Sequence, residues 1–121
     1  MTRKIILLNQ DLMSAMGIMN MCKALGFDCS RVDSAAEFSE LLNGDTSAIA
    51  LAIVDMNTSV DWTVVESAIQ SSDTPVLAFG PHVDAEKMRA AKNAGVTRVT
   101  SNGQFRPNMA EFIERYARTC A

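Results

Sequence analysis

Residues 48–57 read Ala-Ile-Ala-Leu-Ala-Ile-Val-Asp-Met-Asn, an unbroken apolar run that stops at the carboxylate of Asp55. A short apolar run rich in β-branched residues predicts a strand buried on both faces, as in a parallel sheet covered by helices. In open α/β sheets, ligands and reactive groups lie at the carboxyl ends of such strands. Asp55 is therefore the first candidate for a functional residue.

The rest of the chain alternates strand-like and helix-like segments. Gly26 and Gly95 follow helical patterns as natural termini, and a capping box begins at Ser34. An Asn-Gly turn at 102–103 precedes the last helix, with Pro107 at its first position. The predicted strands are residues 4–8, 27–33, 49–54, 76–79 and 96–101, and the predicted helices cover 11–25, 34–43, 62–69, 83–94 and a last segment from 107.

Five successive β–α units predict an α/β, flavodoxin-like fold: a doubly wound five-stranded parallel sheet with five helices in three α/β/α layers. The first, third and fourth strands are wholly apolar, which places them inside the sheet, whereas the second and fifth carry polar residues typical of edge strands. The order 2-1-3-4-5 satisfies both demands. It puts the topological switch point where Asn9, Gln10 and Asp11 meet Asp55.

The composition predicts one globular domain over residues 1–121, with 48% hydrophobic and 21% charged residues. The net charge of −3 gives no excess of basic residues that would favour binding to nucleic acid or to an anionic membrane surface. No apolar stretch is long enough to span a membrane, and the N-terminal one is too short for a signal peptide. Cys22, Cys29 and Cys120 are odd in number and lack CxxC spacing, which favours free thiols in a reducing cytoplasm.

Five short segments carry a resemblance to a known family. They are Lys-Ile-Ile-Leu-Leu at 4–8, Ala-Leu-Gly-Phe at 24–27, Val-Asp-Met-Asn at 54–57, Pro-Val-Leu-Ala-Phe at 75–79 and Ala-Gly-Val at 94–96. In this order and spacing they make essentially the whole chain similar to the CheY-like receiver domain of bacterial response regulators. The resemblance implies a signalling module of two-component (phosphorelay) systems rather than an enzyme. It also implies that Asp55 occupies the position that accepts a phosphoryl group from a histidine kinase.

The other positions that the family places around this aspartate differ here. Two acids after strand one hold Mg²⁺ in the family, and the matching residues are Asn9 and Gln10. A Ser or Thr that hydrogen-bonds the phosphoryl group ends strand four in the family, and Gly80 stands there. A Lys follows strand five in the family. Residues 100–103 read Thr-Ser-Asn-Gly here and contain no Lys, so Asn102 is the position that differs from the family pattern.

These differences predict a pseudo-receiver in which phosphorylation of Asp55 is weak or absent. Phosphoryl transfer depends on positioning and on neutralising charge, and a cation about 4 Å from an anion is worth about 4 kcal/mol at an effective dielectric constant of ~20. The alternative is a working phospho-acceptor with Mg²⁺ as its cofactor, held by Asp55, Asp11, Asn57 and loop water. Asp11 is also a candidate cap for the first helix. Arg98 and Arg106 are either substitute cations or solvated edge residues.

The resemblance implies a protein partner, which would be a histidine kinase, a phosphotransfer protein or an output protein, and a chain that is a monomer or weak homodimer. The first helix is apolar on more than one face, so it is either wedged between neighbours or partly open to a partner. The stripe predicted to face the sheet is Leu12, Ala15, Met16 and Met19. The stripe predicted as the partner surface is Ile18, Met21, Cys22 and Leu25.

Other functional classes receive little support. His82, the single histidine, is expected to be a solvated loop residue, since a metal or catalytic role would need Asp55 or Asp84 beside it. A flavodoxin-like cofactor binder needs a phosphate cradle of hydroxyls and glycine after strand one, which residues 9–13 lack. No nucleophile–base pair or ligand cluster indicates a hydrolase or metalloenzyme.

Overall fold

The computed structural model describes residues 3–57 and 59–118. The strands are β1 Lys4–Leu8, β2 Asp28–Val32, β3 Ile49–Asp55, β4 Val76–Gly80 and β5 Arg98–Ser101. The helices are α1 Leu12–Ala24, α2 Ala35–Asn43, α3 Trp62–Gln70, α4 Ala85–Asn93, α5 Asn102–Phe105 and α6 Met109–Tyr116, with a 3₁₀ turn at Arg106–Asn108. Among the helices of the described ranges, none is long and apolar enough to cross a membrane.

All five strands are parallel and lie in the order β2-β1-β3-β4-β5. The predicted doubly wound, flavodoxin-like sheet is therefore confirmed. The wholly apolar β3 and β4 are buried throughout, while β2 and β5 are partly exposed at the two edges. Because β1 and β3 are neighbours with Leu8 opposite Val54, the segments that follow them meet at one edge of the sheet.

The β3 strand is buried on both faces, as its unbroken apolar run predicts. On one face Leu51 belongs to an apolar cluster with Ile18 of α1 and Ile113 of α6. On the other face Val54 belongs to a second cluster with Phe38 of α2. Alternate side chains of one strand thus join the two helical layers to the sheet, which gives the α/β/α arrangement.

Two helix starts and one helix end confirm predictions from the sequence. Asp11 caps α1, because its Oδ1 accepts a hydrogen bond from the backbone N–H of Met13 at 3.1 Å. Ser34 caps α2, and its Oγ accepts from the N–H of Glu37 at 3.2 Å. Gly26 follows α1 with φ of +88°, in the left-handed region that favours glycine.

The prediction for the two faces of α1 is correct for Ala15 and Met19, which pack in or against the sheet-side cluster, and wrong for Leu12, Met16, Ile18 and Cys22. The side chains that face the sheet are compact ones at i, i+3 and i+7, and all are fully buried: Ala15, Ile18 and Cys22. Two long side chains predicted to face the sheet are largely exposed, Leu12 at 54% and Met16 at 52%. Met13, which belonged to neither predicted stripe, is 83% exposed. Ile18 and Cys22 therefore belong to the core, and Met21 and Leu25 are half-buried against the same cluster.

The last helical segment also begins earlier than predicted. Asn102 and Gly103 start α5 instead of forming a free turn. The cause is Ser101, whose Oγ accepts from the N–H of Gln104 at 3.1 Å and caps the chain directly after β5. Pro107 lies in the 3₁₀ turn that joins α5 to α6. The fifth helical unit is therefore three short segments in series.

Candidate functional site

Asp55 is the last residue of β3 and lies at the edge where the carboxyl ends of the strands meet. Asp55 is buried, and only 3% of its surface is exposed. Phe79 of β4 stands opposite it in the register, and the adjacent Val54 stands opposite Leu8 of β1. The segments that follow β1, β3 and β5 supply its polar neighbours, so the site forms at the predicted switch point.

Amide N–H groups occupy both carboxylate oxygens of Asp55. The Nδ2 of Asn9 donates to Oδ2 at 2.6 Å. Asn57 donates twice to Oδ1, from its backbone N at 2.9 Å and from its Nδ2 at 2.7 Å. Among the described residues, Arg118 forms an ion pair with Asp73 at 2.8 Å. This pair lies at the opposite edge of the sheet, where the Nε of Arg118 also donates to the carbonyl of Ile49 at the start of β3. Neutral dipoles therefore compensate the buried charge of Asp55.

A second amide pair closes the site on the side of β5. The Nδ2 of Asn57 donates to Oδ1 of Asn102 at 3.0 Å, and the Nδ2 of Asn102 donates to Oδ1 of Asn57 at 2.7 Å. The pair ties the segment after β3 to the first residue of α5 and orients the amide that binds Asp55. This pairing was not predicted, although both residues follow strands that end at this edge, which is the signal that could have revealed it.

Asn9 is buried, and both ends of its side-chain amide are in use. Its Nδ2 faces Asp55, while its Oδ1 accepts from the backbone N–H of Asp11 at 2.7 Å. Its backbone carbonyl accepts from a guanidinium nitrogen of Arg31 on β2 at 2.8 Å. Arg31 is therefore a cation near the site, but it holds the chain after β1 rather than the carboxylate.

Three residues considered for this site from the sequence do not reach Asp55. Gln10 is exposed, and no described residue hydrogen-bonds its side chain. Arg98 lies over the ring of Phe112, 5.8 Å from its centroid. Arg106 donates to Ser14 Oγ at 2.7 Å and so ties the 3₁₀ turn to α1. Neither arginine acts as a substitute cation for the carboxylate.

Gly80 ends β4 beside the site and is buried. A Cβ at this position would lie 2.9 Å from Cβ and 3.3 Å from Cε of Met56, which is itself 1% exposed. The space that a Ser or Thr would need at position 80 is thus filled by Met56. Because the closest atom is a Cβ, it cannot move aside without a shift of the β3–α3 segment.

The donor set does not fit Mg²⁺. The ion takes oxygen ligands and usually one or two carboxylates, but Asp55 has both oxygens engaged and Asn9 turns its nitrogen toward the site. Asp11 uses its carboxylate to cap α1, and Asn57 also presents its Nδ2. Over residues 3–57 and 59–118, no group of three or more His, Cys, Asp or Glu side chains could hold a metal ion.

The residues on the β4–α4 side contribute no catalytic group. His82 is exposed, and none of the described residues hydrogen-bonds it. Asp84 caps α4 by accepting from the N–H of Lys87 at 3.1 Å. A cleft of about 320 Å³ lies between the segment with Trp62 and the start of α4, and Asp55 is not among its lining residues.

Comparison with solved structures assigns the fold. The chemotaxis protein CheY4 of Vibrio cholerae matches with a TM-score of 0.76 at 14% identity, over 96% of this chain and 99% of that chain. The fold is that of a CheY-like receiver domain. No protein-family model matches the sequence, and no similar sequence was found among curated proteins.

Two further solved structures match the chain equally well. One is the receiver domain of a sensor histidine kinase from Pseudomonas aeruginosa, with a magnesium ion in its active-site cleft; its TM-score is 0.79 at 13% identity, over 96% of this chain and 98% of that chain. A putative pilus assembly-related protein from Burkholderia pseudomallei matches with a TM-score of 0.77 at 17% identity, over 99% and 92% of the two chains. The receiver fold is therefore retained at very low sequence identity.

Proposed function

We propose that residues 1–121 form a single, atypical receiver domain that acts in two-component (phosphorelay) signalling in the cytoplasm through protein contacts. In this proposal phosphorylation of Asp55 is weak or absent. The observation that carries it is the set of amide donors from Asn9 and Asn57, which occupy both oxygens of the carboxylate. The fold supports a receiver module.

Efficient phosphorylation of Asp55 is disfavoured on electrostatic grounds. A carboxylate that attacks a phosphoryl group needs a free oxygen lone pair and cations that neutralise the transferring charge. Three amide hydrogen bonds, two of them at 2.6 and 2.7 Å, make the carboxylate of Asp55 a weaker nucleophile, and no described Lys or Arg donates to it. A missing cation alone removes about 4 kcal/mol at an effective dielectric constant of ~20, which corresponds to a slowing of about a thousandfold.

We place the partner contact on the exposed N-terminal half of α1. Leu12, Met13 and Met16 are 54%, 83% and 52% exposed and carry no charge. Flexible, polarisable methionine side chains adapt to an apolar partner surface. The partner is a histidine kinase, a phosphotransfer protein or an output protein, and the chain itself is a monomer or weak homodimer. This surface replaces the one predicted around Ile18 and Cys22, which are buried.

Incubation with a small phosphodonor and Mg²⁺, followed by intact-mass measurement, tests the proposal. We expect no phosphoryl adduct on the wild type beyond that on the Asp55→Asn variant. The alternative is a phospho-acceptor that holds Mg²⁺ with Asp55, Asp11 and Asn57. It requires Asp11 to give up its hydrogen bond at the start of α1, and Asn57 to rotate its side-chain amide so that the oxygen faces the ion. A Mg²⁺-dependent adduct that is lost in Asp55→Asn would establish that alternative and refute the proposal.

A further inference from the structure

Two cysteines lie together on the α1 side of the sheet, at the opposite end of α1 from Asp55. Cys22 is on the buried face of α1 and is fully enclosed. Cys29 is on the edge strand β2, opposite Ile5 of β1 in the register. Both cysteines pack in the same apolar cluster as Ile5, so their side chains share one face of the sheet.

The ionisations of the two thiols are linked. A side-chain hydrogen bond with Cys22 lowers the pKa of Cys29, because such a bond stabilises the Cys29 thiolate. The same hydrogen bond, together with burial, raises the pKa of Cys22. The pair is therefore asymmetric: Cys29 is the more readily ionised sulfur of the two.

Only one of the two sulfurs is open to a reagent. Cys29 is half-buried and lines an open groove of about 530 Å³, whose walls include Lys23 of α1 and Asp28 of β2. Cys22 has no exposed surface. A small oxidant can thus reach Cys29 from the groove, whereas Cys22 can react only with a neighbour inside the protein.

We propose that Cys22 and Cys29 form an oxidant-responsive pair that closes into an intramolecular disulfide when a hydroperoxide reaches Cys29. The proposal does not depend on the signalling role, because it rests on residues that the Asp55 site does not use. No third His, Cys, Asp or Glu in the described ranges completes a metal site around the pair, so oxidation rather than metal binding is the chemistry that fits.

The reaction has two balanced steps. The Cys29 thiolate attacks one peroxide oxygen; the S–O bond forms, the O–O bond breaks, and the departing hydroxide takes up the proton lost by Cys29 and leaves as water. The Cys22 sulfur then attacks the sulfenic sulfur of Cys29; the S–S bond forms, the S–O bond breaks, and hydroxide leaves with the Cys22 proton as a second water. The two thiols lose two electrons, and the peroxide accepts them.

The short connection between the cysteines holds them in place for this reaction. Residues 23–28 join α1 to β2, and the backbone N–H of Phe27 donates to the carbonyl of Cys22 at 2.9 Å. Gly26 makes the turn with φ of +88°. Because the disulfide would close a short loop, it constrains the unfolded chain less than a long-range disulfide would, and we expect it to be reversible by a thiol reductant.

A peptide map of the full chain treated with hydrogen peroxide tests the proposal. Free thiols are alkylated and the protein is digested with trypsin without reduction. Cleavage after Lys4, Lys23 and Arg31 separates Cys22 on peptide 5–23 from Cys29 on peptide 24–31. We expect these two peptides to be joined after oxidation and to separate after treatment with dithiothreitol. The linkage should persist in Cys120→Ser, which removes the third cysteine.

Two variants test the order of events. Cys22→Ser removes the resolving thiol but keeps a hydrogen-bond donor beside Cys29, so peroxide should leave a sulfenic acid on Cys29 that a dimedone probe labels at least about tenfold more than in the wild type. Cys29→Ala should abolish both the label and the linkage. The proposal is overturned if oxidised wild type contains no 5–23/24–31 linkage. It is equally overturned if the disulfide joins Cys29 to Cys120 or to a second chain instead.

Discussion

Asn9 donates a 2.6 Å hydrogen bond from its side-chain amide to the carboxylate of Asp55. A carboxylate at position 9 would repel Asp55 unless a metal lay between them, whereas the amide attracts it. Asn57 adds two further donors, and Asn102 holds the amide of Asn57 in place. The edge of the sheet is therefore a self-contained hydrogen-bond network around one anion.

Restoring acids after β1 should create a Mg²⁺ site. We expect Asn9→Asp/Gln10→Asp to bind Mg²⁺ at least about tenfold more tightly than the wild type, because two added carboxylates supply the charge that the ion requires. Isothermal titration calorimetry measures this difference. Asn20→Asp, on the exposed side of α1, adds one negative charge away from the site and controls for general attraction. Equal affinity of the wild type and the double variant would contradict this expectation.

Without Mg²⁺, the same double variant should be less stable than the wild type. A new carboxylate at position 9 would face Asp55 in place of an amide donor, and we expect the free energy of unfolding to fall by about 1–3 kcal/mol. Urea denaturation in the presence of a chelator measures the change. A double variant as stable as the wild type would indicate that the Asn9 amide does not stabilise Asp55.

Gly80 and Gly17 should respond in opposite ways to an added methyl group. Gly80→Ala places a Cβ 2.9 Å from the Cβ of Met56, so we expect it to lower the free energy of unfolding by about 1–3 kcal/mol. Gly17 is an exposed helical residue with nothing within 4 Å of the added atom, and Gly17→Ala should raise stability by about 0.5–1 kcal/mol. Denaturation curves of Gly80→Ala and Gly17→Ala test these two expected changes in stability. A neutral Gly80→Ala would mean that Met56 does not fill this space.

The two faces of α1 should differ in their contribution to stability. Ile18→Ala creates a cavity in the core and should cost about 2–5 kcal/mol, since Ile18 is fully buried. Met13→Ala and Met16→Ala change largely exposed side chains and should alter stability by less than about 0.5 kcal/mol. Thermal or chemical denaturation of the three variants measures these differences in stability. A large loss of stability in Met16→Ala with none in Ile18→Ala would restore the face predicted from the sequence.

The sheet could be predicted from the sequence because strand burial leaves a direct mark on residue type. The unbroken apolar run before Asp55 and the polar residues of the second and fifth strands predict which strands lie inside the sheet and which lie at its edges, and the predicted order 2-1-3-4-5 meets this requirement and is confirmed. The faces of α1 could not be predicted in the same way. This helix has apolar residues on nearly all sides, so its period does not select a stripe, and close packing against the sheet selects the compact Ala15 and Ile18 over the longer Met16.

The position of the candidate site could also be predicted, but its hydrogen bonds could not. The switch-point rule brings Asn9 and Asp55 to one edge. Which amide atom faces the carboxylate depends on the partners of the other end: Asn9 is oriented by the N–H of Asp11, and Asn57 is oriented by Asn102. Such orientations arise from the folded backbone, so residue spacing alone does not reveal them.

The measurement that tests the central claim most directly is the free energy of unfolding of Asp55→Asn. An asparagine at position 55 must point one NH₂ at an existing donor, and turning the amide of Asn9 would only move the conflict to the N–H of Asp11. We expect a loss of about 1–3 kcal/mol, because a buried donor is left without an acceptor. Asp61→Asn, at the cap of α3 where asparagine serves as well as aspartate, should be near neutral. An Asp55→Asn variant as stable as the wild type, or more stable, would contradict the account.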